Sequence, residues 1–271
     1  MRALLTFLFP HRWQGQLAAA KHLLASDGPA PPGTGTRTDA WLASPAWEVR
    51  NVAVKLIAHL HDEARYDRLL EKATDRSESG IVRRNAVEAI GRLGLATDAA
   101  RTALTSAVFD RYWEVRGEAA RALATLFPPD ACLEHKLLEV LYGTHTPRRR
   151  IREENFEVCM ACARGLGYLG VSRAGFEALA ELARNDAWLV RSQAAVGLAH
   201  FAARLPEHFP EARETLRKLD RLSEGAVSYF VHRDVLSQAL RAVHRGPDAI
   251  DPGQLAPLYL NPRAGWNHVR R

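Results

Sequence analysis

The sequence predicts an all-α fold, an α-solenoid of about six stacked helical hairpins. Three observations point to it. A short motif recurs at near-regular intervals, the apolar residues after it keep fixed offsets, and Ala is abundant while strand-like runs of aromatic and β-branched residues are scarce. The motif is clearest at Trp113-Glu114-Val115-Arg116. It returns as Trp47-Glu48-Val49-Arg50 and Trp188-Leu189-Val190-Arg191, with weaker copies at Ile81-Val82-Arg83, Glu157-Val158-Cys159 and Phe230-Val231-His232. Aligned on the residue after the Val, the copies fall at 50, 83, 116, 159, 191 and 232, in steps of 33, 33, 43, 32 and 41.

Each copy carries apolar residues at the Val and at four, eight and eleven positions beyond it. They are Val49, Ala53, Ile57 and Leu60; Val82, Ala86, Ile90 and Leu93; Val115, Ala119, Leu123 and Leu126; Val158, Cys162, Leu166 and Leu169; Val190, Ala194, Leu198 and Phe201. That spacing is one face of a helix, with a small residue where a neighbouring helix comes close. The less regular partner helices are expected over 65–73, 98–108, 131–141, 173–183 and 211–222. A further helix is expected over 13–25, from Leu17, Ala20 and Leu24. Residues 27–39, rich in Pro and Gly, read as a flexible loop. Asp186 is the expected acidic cap of the helix that opens at Trp188.

A helix that opens with Val-Arg, continues with Ala and Leu or Ile, and ends near Gly91-Arg92-Leu93-Gly94 or Gly167-Tyr168-Leu169-Gly170 resembles the HEAT repeats of the phycobilisome-lyase type. The resemblance spans about 40–245 and implies a right-handed superhelix. It leaves residues 1–39 as an N-terminal capping helix and loop, and 246–271 as a Pro-rich cap or tail. It also implies that the second helix of each hairpin lines a concave face. The fold is well specified by this resemblance; the function is not.

Composition narrows the partners. With 37 Lys and Arg against 31 Asp and Glu the net charge is +6, which favours an acidic partner. Three cysteines, Cys132, Cys159 and Cys162, make no disulfide framework and suggest a reducing, cytoplasmic setting. The apolar start, Ala3 to Phe9, is too short to span a bilayer. The tail residues Leu258, Tyr259, Leu260 and Trp266 are expected to pack back as a cap or to dock on another chain.

Two sets of residues are candidates for binding. Positions two, six and ten after each Val share one stripe, expected to turn away from the apolar face. Of its 18 residues, seven are Lys or Arg (Lys55, Arg84, Arg92, Arg121, Arg164, Arg233, Arg241) and one is acidic, a sum of +6. The resemblance makes this stripe a basic groove, and the loop Arg148-Arg149-Arg150 in the longer interval is a second-choice contact. The second set is an aromatic two residues before the Val: Trp47, Trp113, Phe156, Trp188 and Tyr229. Such rings either wedge between repeats or form a row of stacking surfaces. The arginines Arg50, Arg83, Arg116 and Arg191 are expected to pair with acids of the neighbouring repeat. Cys159-Met160-Ala161-Cys162 lies inside a helix without a second pair and reads as core.

The reading that follows is a non-catalytic scaffold or adaptor that binds an acidic partner protein, with no cofactor, no metal and no catalytic residue assigned. Two others stay open. One is a nucleic-acid binder similar to the HEAT-like alkylpurine DNA glycosylases, which use concave-face Trp and carboxylate residues, here Trp113 near Asp110 and Glu114. The other is a chromophore-lyase subunit, implied by the resemblance alone.

Overall fold

The structure is a computed structural model that describes residues 10–26, 29–143, 150–225, 233–246 and 255. Among them every regular element is a helix. A first helix, α1 (Pro10–Leu24), precedes six hairpins. They are α2 (Thr34–Leu42) with α3 (Trp47–His59), α4 (Tyr66–Thr74) with α5 (Gly80–Leu93), and α6 (Asp98–Ala107) with α7 (Trp113–Leu126). Then come α8 (Ala131–Tyr142) with α9 (Phe156–Leu169), α10 (Arg173–Leu182) with α11 (Trp188–Arg204), and α12 (Phe209–Gly225) with α13 (Arg233–His244). The chain forms two compact units, Met1–Leu126 and Phe127–Arg271.

The repeated offsets explain the stacking. In α3, α5, α7, α9 and α11 the Val and the residues four and eight beyond it are all buried. In the N-terminal unit α1, α3, α5 and α7 pack side by side in that order, and α2, α4 and α6 lie along them. In the C-terminal unit α9, α11 and α13 do the same. The small residue at the second offset sets the spacing. Gly197 of α11, seven residues after the Val, marks a close approach of its own: a β-carbon there would stand 2.8 Å from the Ala163 carbonyl oxygen of α9.

Three local expectations are corrected. The loop foreseen over 27–39 already contains the start of α2 at Thr34. Gly33 takes a left-handed turn (φ 75°), and the Thr34 hydroxyl donates to the Pro31 carbonyl at 2.6 Å. Arg65 then clasps the helix by donating to Asp39 and to the Gly35 carbonyl. Asp186 does not cap α11. The cap position is Ala187, with no side-chain bond, and Asn185 accepts from the Ala187 N–H. Finally, the stripe two, six and ten residues after the Val does not turn away from the core everywhere. Gly117, Met160, Ser192, Val196 and His200 are buried, because each second helix is flanked by two others. In α11 every residue from Val190 to Ala202 is buried, as expected of a helix enclosed on all sides.

Candidate partner-binding surfaces

The arginine at each Val-Arg position is used inside the stack. Its Nη1 reaches back to the turn that precedes its own helix. Arg50 donates to the Ser44 and Pro45 carbonyls at 2.7 and 2.9 Å. Arg83 donates to the Glu78 carbonyl. Arg116 donates to Asp110 and Arg111 at 3.1 and 3.4 Å, and Arg191 to Asn185 and Asp186, both at 2.8 Å. These carbonyls stand five and six residues upstream, so one planar fork satisfies a turn each time.

The other edge of the fork crosses to the next repeat. Arg50 grips Glu78 through Nε and Nη2, at 2.7 and 2.6 Å. Arg83 grips Asp110 through the same two atoms, both at 2.8 Å. The second pair is fully enclosed, with side-chain exposures of 1% and 2%. Burial works to raise the Asp110 carboxyl. The Arg83 guanidinium, the Tyr112 N–H and the Arg76 charge together outweigh it and hold the group below the usual carboxylate range. Glu78 behaves alike: burial opposes, and Arg50, the Ser79 N–H and Lys72 hold the carboxyl low. Two steps of the expected ladder are therefore present, and each acid lies 27 or 28 residues beyond its arginine. The same geometry commits Asp110 to structure, so it is not free to act on a substrate beside the half-buried Trp113.

The predicted cationic stripe divides. Lys55 and Arg92 are exposed and have no ion-pair partner among the described residues. Arg84 lies 3.5 Å from Glu88, and Arg121 lies 2.8 Å from Glu118, each on its own helix. Arg164 is half-buried with its guanidinium 5.8 Å over the Tyr168 ring. Arg241 is exposed and donates to the Ser237 carbonyl at 3.2 Å. Arg150 is exposed. Arg148, Arg149 and Tyr229, the side chain of Arg233 and the tail after 246 lie outside the described residues, Leu255 apart.

The aromatic set stands at the starts of the second helices. Trp47, Phe156 and Trp188 are half exposed, at 39%, 43% and 38%, while Trp113 is less so. They do not wedge fully between repeats. In the C-terminal unit Phe156 lines a cleft of about 1010 Å3 between residues 150–154 and 184–187. Glu181 holds the wall of that cleft in place. Its carboxylate accepts from the Tyr142 hydroxyl at 2.8 Å and from the Ile151 N–H at 2.9 Å. A second anchor, the buried Glu134, accepts from the Val171 and Ser172 N–H groups and the Ser172 hydroxyl. Neither acid carries a motif that a sequence reading would single out.

Other reactive side chains are enclosed. Burial pushes the Cys159 thiol up to about 12, so it stays protonated, and Cys162 is buried beside it. His200 is driven down to about 4 by burial and by the Arg204 and Arg164 charges, and it packs edge-on against Tyr168. Among the described residues no group of three or more His, Cys, Asp or Glu is placed to hold a metal ion. No described helix is long and apolar enough to cross a membrane.

Comparison with known proteins agrees with this architecture. Residues 38–132 match the family model for HEAT repeats. The structure is similar to that of a chain in the complex of CpcE and CpcF of phycocyanin lyase from Nostoc sp. PCC7120, with a TM-score of 0.55 at 22% identity over 81% of this chain and 79% of that one. It is also similar to an engineered protein, with a TM-score of 0.51 at 20% identity over 78% of this chain and 96% of that one. No curated protein matches the sequence. At these identities the structural likeness speaks for the fold alone. Residues 38–132 are thus similar to HEAT repeats, within a fold of stacked helical hairpins.

Proposed function

We propose that the protein is a scaffold that binds an acidic face of a partner protein. The observation that carries this is a division of labour among its cations. The Val-Arg arginines are consumed in tying turns and repeats together. Lys55 and Arg92 stand exposed and unpaired on the helices so fixed. A rigid frame that holds such charges in place loses little entropy on binding, and its charge pattern selects the partner. Two further points support the reading: half-exposed aromatics at equivalent helix starts, and likeness to a fold that occurs in a complex of two different chains.

The test is affinity capture from extract of the native host, with wild type beside Lys55→Glu/Arg92→Glu. We expect a protein that is captured at low salt, is retained after nuclease treatment and is lost with the double variant. Unchanged capture by the variant would overturn the basic contact. Capture that vanishes with nuclease would favour the nucleic-acid reading. In that case the affinity for duplex DNA should fall steeply with salt, by a log–log slope of roughly −0.9 per phosphate contact.

A further inference from the structure

The terminal hairpin holds a positive surface that the repeat stripe does not account for. Over the described side chains of α12, α13 and the turn residue Arg245 there are six Lys or Arg (Arg213, Arg217, Lys218, Arg221, Arg241, Arg245) and three acids (Glu211, Glu214, Asp220). One of the acids is engaged outside the hairpin. Glu211 is taken by Arg173 of α10, at 2.7 Å. Glu214 is shared by Lys218 and Arg221, at 3.7 and 3.4 Å. Arg217, Arg241 and Arg245 have no ion-pair partner among the described residues, and all three are exposed.

The spacing gathers these groups. Arg213, Arg217 and Arg221 follow one another at four-residue steps along α12, and Arg241 and His244 stand in the last turn of α13, with Arg245 just beyond it. The two helices meet where Arg213 Nη2 donates to His244 Nδ1 at 3.5 Å. Their apolar faces are turned inward: Ala212, Leu216, Leu219, Val235, Leu236, Ala239, Leu240 and Val243 are buried. The patch is therefore the outer face of a well-packed hairpin.

We infer that this outer face of α12–α13 is a docking surface for an acidic segment of a partner protein. The inference rests on the scaffold reading and gives it a second, separate contact. Charge complementarity names the occupant. No large apolar side chain is exposed on the described part of the hairpin, so there is nothing to insert into a bilayer. Among the described residues of the hairpin no exposed aromatic ring offers a stacking platform for single-stranded bases.

The test uses the full chain and a fluorescein-labelled polyglutamate peptide of about a dozen residues, followed by anisotropy at low salt. An oligothymidylate of similar charge is the comparator. Arg217→Glu/Arg241→Glu should weaken peptide binding about tenfold or more, since two positive charges at the patch become two negative ones. Lys55→Glu/Arg92→Glu should weaken it about twofold. All four residues are exposed, so the variants should melt as wild type does. Should the first variant unfold, Arg217→Gln/Arg241→Gln replaces it, with a smaller loss expected. Wild-type affinity in the hairpin variant overturns the patch. Tighter binding of the oligonucleotide, lost in the same variant, overturns the protein occupant. Loss of the peptide in the hairpin variant, in a protein that captures no native partner, upholds the patch and rejects the scaffold reading.

Discussion

Arg83 and Asp110 show how a single residue pair sets both stability and the limits of function. The two side chains exclude water and meet through two parallel hydrogen bonds. Asp110→Asn would leave the guanidinium buried without its counter-charge, a change that costs about 3–5 kcal/mol in comparable pairs. Equilibrium unfolding in urea should show that loss. Acid should act through the same contact. The Asp110 and Glu78 carboxyls sit below their ordinary values of 3.8 and 4.5 in the folded state. Their stabilisation is thus complete above those ordinary values and is lost as pH falls through the lower folded ones. Melting temperatures between pH 7 and pH 3 should stay level at first and then drop. In Asp110→Asn the drop should be shallower; an identical drop would remove Asp110 from the account.

At the scale of elements, α11 is the helix that most other contacts depend on in its unit. It lies against α9 and α13 and is covered by α10 and α12. Replacing a glycine inside a helix by Ala normally stabilises, by up to about 1 kcal/mol. At Gly197 the sign should reverse. The added methyl would meet the Ala163 carbonyl and the Leu179 side chain, and overpacking of this kind costs about 1–3 kcal/mol. A lowered melting temperature for Gly197→Ala checks it, and a raised one would mean the helices part easily. The regular second helices were legible from sequence because one stripe of each is always buried. The partner helices were placed to within a few residues at most ends, as 173–183 against Arg173–Leu182 shows. α2 was misread because Pro31, Pro32 and Gly33 announce a loop, whereas the clasp of Arg65 on Asp39 that holds the helix comes from 26 residues away.

At the scale of the molecule, two compact units each have their own buried helices. In repeat proteins damage spreads mainly to neighbouring repeats. Arg83→Leu should therefore speed amide hydrogen exchange in α3, α5 and α7 while the amides of α11 stay protected. Equal loss in both units would show that the chain unfolds as one body. The period, the all-helical class, the buried Val, Ala and Leu offsets and the internal use of the Val-Arg arginines were all determined by the sequence alone. They follow from local spacing, which fixes one face of every helix. Which charges remain free was decided only by the tertiary structure. Arg84 and Arg121 find acids on their own helices, Ser192, Val196 and His200 fall into the core, and Arg213 of α12 meets His244 of α13. The reason is physical: a side chain's charge is set by its own chemistry, but its solvation and its partners are set by the helices packed around it.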